Sequence, residues 1–157
     1  PLDNTLSNYA SLLDTDKYYG SLGTAQEAIQ YAIKEFKEIN IQANPAYTYD
    51  QMKMFKNMAI DLLANRDKVV TIVLFIPDIN DIAGKIILDE DKLQKYITVS
   101  YTVPASQAIY IVGDQEVHLG SVTEYETDVK IILLQNEKSK KKYSIDGIKA
   151  VADAMTV

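Results

Sequence analysis

A chain of 157 residues, 47% apolar and 24% charged, is long enough to bury a real core and too apolar for global disorder. Its net charge of −6 repels phosphate backbones, so nucleic acid is not an expected partner. With no Cys and one His, the sequence excludes disulfides, thiolate nucleophiles, Cys-ligated zinc and multi-His metal sites.

Helical spacing fills the first part of the chain. Leu2, Leu6, Tyr9 and Leu13 predict a short helix over 3–13, followed by a loop through Tyr18–Gly23 with its two glycines. Thr24 and Glu27 have capping-box spacing, and Ala25, Ala28, Ile29, Ala32, Ile33, Phe36 and Ile39 continue as one apolar stripe. The spacing predicts a helix ending near Asn40, before Pro45. Thr48 and Gln51 repeat the capping device. Met52, Phe55, Met58, Ala59, Leu62 and Leu63 form the face to be buried, with Arg66 late in that helix. Met52, Met54 and Met58 read as core filling, against the sharper reading of a flexible partner-binding surface.

Near Lys68 the apolar spacing changes to strand type. Val69–Ile76 is β-branched, almost wholly apolar and stopped by Pro77, which predicts a central strand covered on both faces. A turn is predicted over Asp78–Ala83 and a short strand over Lys85–Leu88. Tyr96–Val103 alternates until Pro104. Further strands are predicted at Ala108–Val112, Glu116–Leu119 and Val122–Gln135, with a turn at Gly113-Asp114. Asn136–Lys142 reads as a lysine-rich hairpin tip, and Lys142–Asp146 as a strand returning beside its predecessor. Ile145, Ile148, Ala152 and Met155 also fit a helical stripe, so 145–155 stays open between strand and helix. The fold class is α+β: N-terminal helices (about 3–66) on a curved, mainly antiparallel sheet (about 68–149), in a single domain.

No catalytic motif accompanies this pattern. His118, between Val117 and Leu119, lacks a glycine-flanked nucleophile and reads as an ordinary strand-face histidine. The acidic stretch Asp78, Asn80, Asp81, Asp89, Glu90, Asp91 fails calcium-loop spacing, because Ile82 and Ala83 occupy its fifth and glycine positions. It reads as solvated turns, as do Asp14 and Asp16. Gly20–Thr24 lacks the Lys and the preceding strand of a phosphate loop. No metal, no cofactor and no enzymatic activity are expected.

Eleven Tyr and no Trp leave interaction as the stronger theme. Tyr18, Tyr19, Tyr47 and Tyr49 fall at loops or a helix start. Lys138, Lys140, Lys141 and Lys142 form the one basic cluster, whose ordinary reading is a solvated tip that discourages edge pairing. These eight residues are the candidate interaction surface.

The ending Asp128–Leu133, polar turn, then Tyr143, Ile145, Gly147 and Ile148 resembles the nuclear transport factor two-like (cystatin-like) superfamily over roughly residues 24–149. The apolar strand at Val69–Pro77 and the extra helix at 3–13 depart from that pattern. The resemblance implies either a non-catalytic assembly domain, as in bacterial type IV secretion and conjugation machinery, or a ketosteroid isomerase-type pocket. Such a pocket would set Tyr96 or Tyr101 beside a carboxylate such as Asp128.

The expectation is a non-catalytic protein-interaction or assembly domain of a bacterial secretion, conjugation or cell-surface component that self-associates or binds a protein. The alternatives are a small-molecule pocket protein or isomerase-like enzyme of the same fold, and a phage structural protein. A chain that starts at Pro1 reads as truncated. A membrane link is expected only through a segment before Pro1, and an extracytoplasmic setting is favoured over a cytoplasmic one.

Overall fold

A computed structural model describes residues 10, 17–18, 21–79, 81–88, 91–107, 109–111, 122–124 and 127–154. The helix predicted at 3–13, the strand at 116–119, the turn at 113–114 and His118 lie outside them. The fold is α+β, with helices and a four-stranded sheet. Two compact units share the chain, residues 1–39 and 40–157.

The smaller unit carries α1 (Ala25–Glu35). The capping box forms as the spacing required: Glu27 N–H donates to Thr24 Oγ1 at 3.3 Å, and Thr24 N–H donates to Glu27 Oε2 at 2.7 Å. The Thr24 backbone N–H holds the Glu27 carboxyl below the usual range, helped by the Thr24 hydroxyl and by Lys17. Gly23, at φ 91°, enters the helix in the left-handed region, where a Cβ would also meet the Glu27 carboxylate. The helix stops five residues earlier than predicted. No α1 residue is buried, and Tyr31 and Phe36 stack edge to face at 5.8 Å.

Strand β1 (Glu38–Ala43) replaces the predicted last turn of that helix. From Asn40 onward it belongs to the larger unit, as an edge of the sheet. In Ile39-Asn40-Ile41-Gln42 the apolar residues alternate with polar ones, which is strand period.

Helix α2 (Tyr49–Leu63) is capped by Thr48, whose hydroxyl accepts from Gln51 N–H at 3.4 Å. Met52, Phe55, Ala59, Leu62 and Leu63 are buried as predicted, whereas Met58 is half-buried. Arg66 lies beyond the helix, in the bend that follows the Ala64 cap.

The sheet order is β1-β2-β6-β3, with β2 (Val69–Pro77), β6 (Val129–Gln135) and β3 (Ile97–Val103) joined by antiparallel ladders. A separate ribbon pairs β4 (Ile109–Ile111) with β5 (Val122–Glu124), so the long strand predicted over Val122–Gln135 is two strands.

β2 is central, but its burial alternates. Val70, Ile72, Leu74 and Ile76 are buried, while Thr71, Val73 and Phe75 are half-buried. Cover on both faces was expected, and only one is fully covered; α2 packs against this strand. On the opposite face Val103, Val129, Ile131 and Leu133 cluster with Val73, Phe75, Val99 and Tyr101.

Three further predictions are corrected. Residues 82–88 form helix α3 (Ile82–Leu88), packed on α2, and α4 (Asp91–Gln94) follows. Gly84 fits there because a Cβ would press on the Ile79 carbonyl oxygen and lie 2.9 Å from the Tyr47 hydroxyl. Residues 137–142 form α5 (Glu137–Lys142), capped by Asn136, so they are not a hairpin tip. After Tyr143 and Ser144 the chain enters α6 (Asp146–Ala154), so no strand returns at 142–146. The final hairpin that carried the superfamily resemblance is therefore absent.

Candidate functional site

The structure divides the eight predicted surface residues. Tyr18 is 90% exposed in the smaller unit, and Tyr19 lies outside the described residues. Tyr47 is half-buried and donates its hydroxyl to Asp81 Oδ1 at 2.7 Å. Tyr49 is exposed at the first turn of α2, with the Lys53 ammonium 5.9 Å from its ring centre. α2 has 15 residues and so runs about 22 Å. That length puts Tyr47 and Tyr49 at one end and the lysines of α5, beside the other end, well away from them.

At that second end a cleft of ≈ 500 Å³ opens between the end of α2, the turn before β3 and the start of α5. Arg66, Lys95 and Lys138 line it, with Tyr96 and Asn136. All three cations are exposed. Arg66 has no carboxylate partner among the described residues. The Lys95 ammonium lies 4.9 Å from the Tyr96 ring centre, and Lys138 Nζ donates to the Asp67 carbonyl at 2.9 Å. The cleft's acidic side chain, Glu137, pairs with Lys140 at 3.4 Å. The wall is basic although the chain carries net charge −6. Of the other predicted lysines, Lys141 is exposed and Lys142 Nζ lies 5.5 Å from the Tyr143 ring centre.

Asn136 builds this cleft. It is 4% exposed, and its Oδ1 accepts from Val70 N–H at 3.1 Å and from Ser139 N–H at 3.0 Å. Its Nδ2 donates to the carbonyls of Asn65 at 2.9 Å and Lys68 at 2.7 Å. One amide thus starts β2, caps α5 and ties down the loop that carries Arg66. The Asn65 side chain completes that loop by accepting from Asp67 N–H and Lys68 N–H at 2.9 and 3.1 Å. Sequence reading missed Arg66, Lys95 and Asn136 as site residues. Asn136 followed by Glu137 is an N-cap signal that could have exposed α5. Nothing local links positions 66, 95 and 138.

The carboxylates weighed for chemistry serve the fold. Asp78 receives Lys130 Nζ on both oxygens at 3.0 Å. Asp81 accepts from Gly84 N–H at 2.8 Å as well as from Tyr47. The Gly84 N–H is the main cause holding its carboxyl below the usual range, with the Tyr47 hydroxyl next. Asp128 is exposed and accepts from Ala105 N–H at 2.9 Å, so it is not a carboxylate in an apolar pocket. Among the described residues no three acidic or histidine side chains gather where they could hold a metal.

Residues 1–113 match the family model described as Phosphorylated CTD interacting factor 1 WW domain. No curated protein matches the chain. The family match overturns the nuclear transport factor two-like resemblance. With it fall the bacterial secretion, conjugation or cell-surface role and the isomerase-like alternative that shared that fold. The extracytoplasmic setting falls too, because it rested on that resemblance. Protein-partner binding stands, and among the described residues no helix is long and apolar enough to cross a membrane.

Proposed function

The chain belongs to the Phosphorylated CTD interacting factor 1 WW domain family, and we propose that it is a non-catalytic module binding a phosphorylated, acidic segment of a partner protein. The cleft framed by Arg66, Lys95 and Lys138 is the site. The observation that carries this reading is that three exposed cations line one cleft of an acidic chain. A phosphate brings close to two negative charges and three acceptor oxygens, and Arg-containing clusters are the usual means of holding it. Arg66 offers the planar fork; Lys95 and Lys138 add point charges. The phosphorylated CTD in the family's name has the matching chemistry.

A groove that reads proline-rich chains needs aromatic rings as walls. This chain has no Trp, and the ring at the cleft is Tyr96. Tyr96 supplies one flat apolar surface beside the cations, so charge dominates recognition. Lys140 neutralises Glu137 and keeps the wall positive.

Titrating phosphoserine into the chain, with amide resonances as the readout, should shift Asn65, Arg66, Lys95 and Lys138. Arg66→Gln should weaken that binding about tenfold, the size of one lost charge-assisted bond. Shifts confined to other surfaces, or an unchanged affinity in Arg66→Gln and Lys138→Gln alike, would overturn the assignment.

A further inference from the structure

A basic cleft that carries a carboxylate of its own contains a rival for any anion it takes. Among the described residues that line the cleft, Glu137 is the one acidic side chain, and it shares the site with Arg66, Lys95 and Lys138. Its backbone is fixed, because it opens α5 directly after the buried Asn136 cap. Its side chain is 81% exposed, so little packing holds the carboxylate in any one direction.

What directs it is Lys140. The Lys140 ammonium lies 3.4 Å from Glu137 Oε1 and 3.5 Å from the Lys95 carbonyl oxygen. The Lys140 side chain is only 31% exposed, so its stem is largely covered and its head is better fixed than its partner. Lys140 does not itself line the cleft. It therefore draws Glu137 toward a cation outside the site and leaves Arg66, Lys95 and Lys138 to face an incoming anion.

We propose that Glu137 is a built-in competitor for the basic cleft and that Lys140 is the positioning residue that holds it off. The inference rests on the phosphate-binding reading of the cleft. It adds an internal control on the strength of that binding. Without Lys140, the nearest cations left to the Glu137 carboxylate are those of the cleft. A tethered carboxylate competes at a high effective concentration, so even a weak exposed pair with Arg66 or Lys138 lowers affinity for phosphate.

The test measures phosphoserine binding to the intact chain by its amide resonances, in wild type, Lys140→Met, Glu137→Gln and the double variant. Lys140→Met should bind about fivefold more weakly, the upper end for one exposed ion pair. Glu137→Gln should bind as well as wild type or up to about threefold better, since one like charge is gone. The double variant should match Glu137→Gln alone, because without the carboxylate Lys140 has nothing to hold off. Lys140→Arg keeps the pair and should bind like wild type. A merely structural role for Lys140 would instead lower the denaturation midpoint and would not be rescued by Glu137→Gln. Unchanged binding in Lys140→Met, or a fivefold loss that persists in the double variant, would overturn this inference and leave the cleft assignment standing. A wild-type chain that does not bind phosphoserine would overturn both.

Discussion

Tyr47 shows how a residue legible only as exposed becomes a structural joint. Burial is the larger cause raising its hydroxyl from 10.0 to about 12, and the bond to Asp81 is the next. The folded chain then keeps a proton that the unfolded chain releases near the ordinary value. Stability carried by this group is complete below pH 10 and is lost as pH rises through about 12. Tyr47→Phe should cost about 1 kcal/mol at neutral pH. It should also flatten the fall in denaturation midpoint between about pH 10 and about pH 12. A fall of the same steepness in the variant would show that other groups govern that range. Sequence reading placed Tyr47 on the surface because it precedes a helix cap. Its partner Asp81 is 34 positions away, and no local signal joins them.

At the level of elements, period and caps decided what was legible. The caps at Thr24 and Thr48 and the alternation in β3 are local patterns, and the structure follows them. β1 was hidden because Ile39 also fits the helical stripe of Ile33 and Phe36, so two periods competed over the same residues. In α3, three Ile favour a strand by propensity and Gly84 disfavours a helix, and packing on α2 overrides both. α5 was masked by its lysines, although Asn136 is an N-cap type. Asn136→Ala removes four hydrogen bonds at once and should lower stability by about 2–4 kcal/mol. That loss should appear as a lower denaturant midpoint with an unchanged slope. Asn136→Asp keeps the acceptor side and loses both donors to Asn65 and Lys68, so it should not restore the midpoint. A near-neutral result in Asn136→Ala would show that water replaces these bonds and that the cap does not shape the cleft.

Across the whole molecule, charge is the property that separates the surfaces. A sum of −6 argues against polyanions, yet the sum hides a basic wall assembled from positions 66, 95 and 138. Those positions meet because β6 lies between β2 and β3 and ends at the Asn136 cap. The pattern does not supply strand order, so the α+β class was legible while the site was not. The Lys138–Lys142 run was recognised, but its neighbours Arg66 and Lys95 were not. The most direct measurement of the central claim is the affinity of the intact chain for a phosphoserine peptide and its unphosphorylated twin, taken at two salt concentrations. Binding through Arg66, Lys95 and Lys138 predicts at least about tenfold preference for the phosphorylated form, weakening as salt rises. Equal affinities, or a preference indifferent to salt, would contradict it.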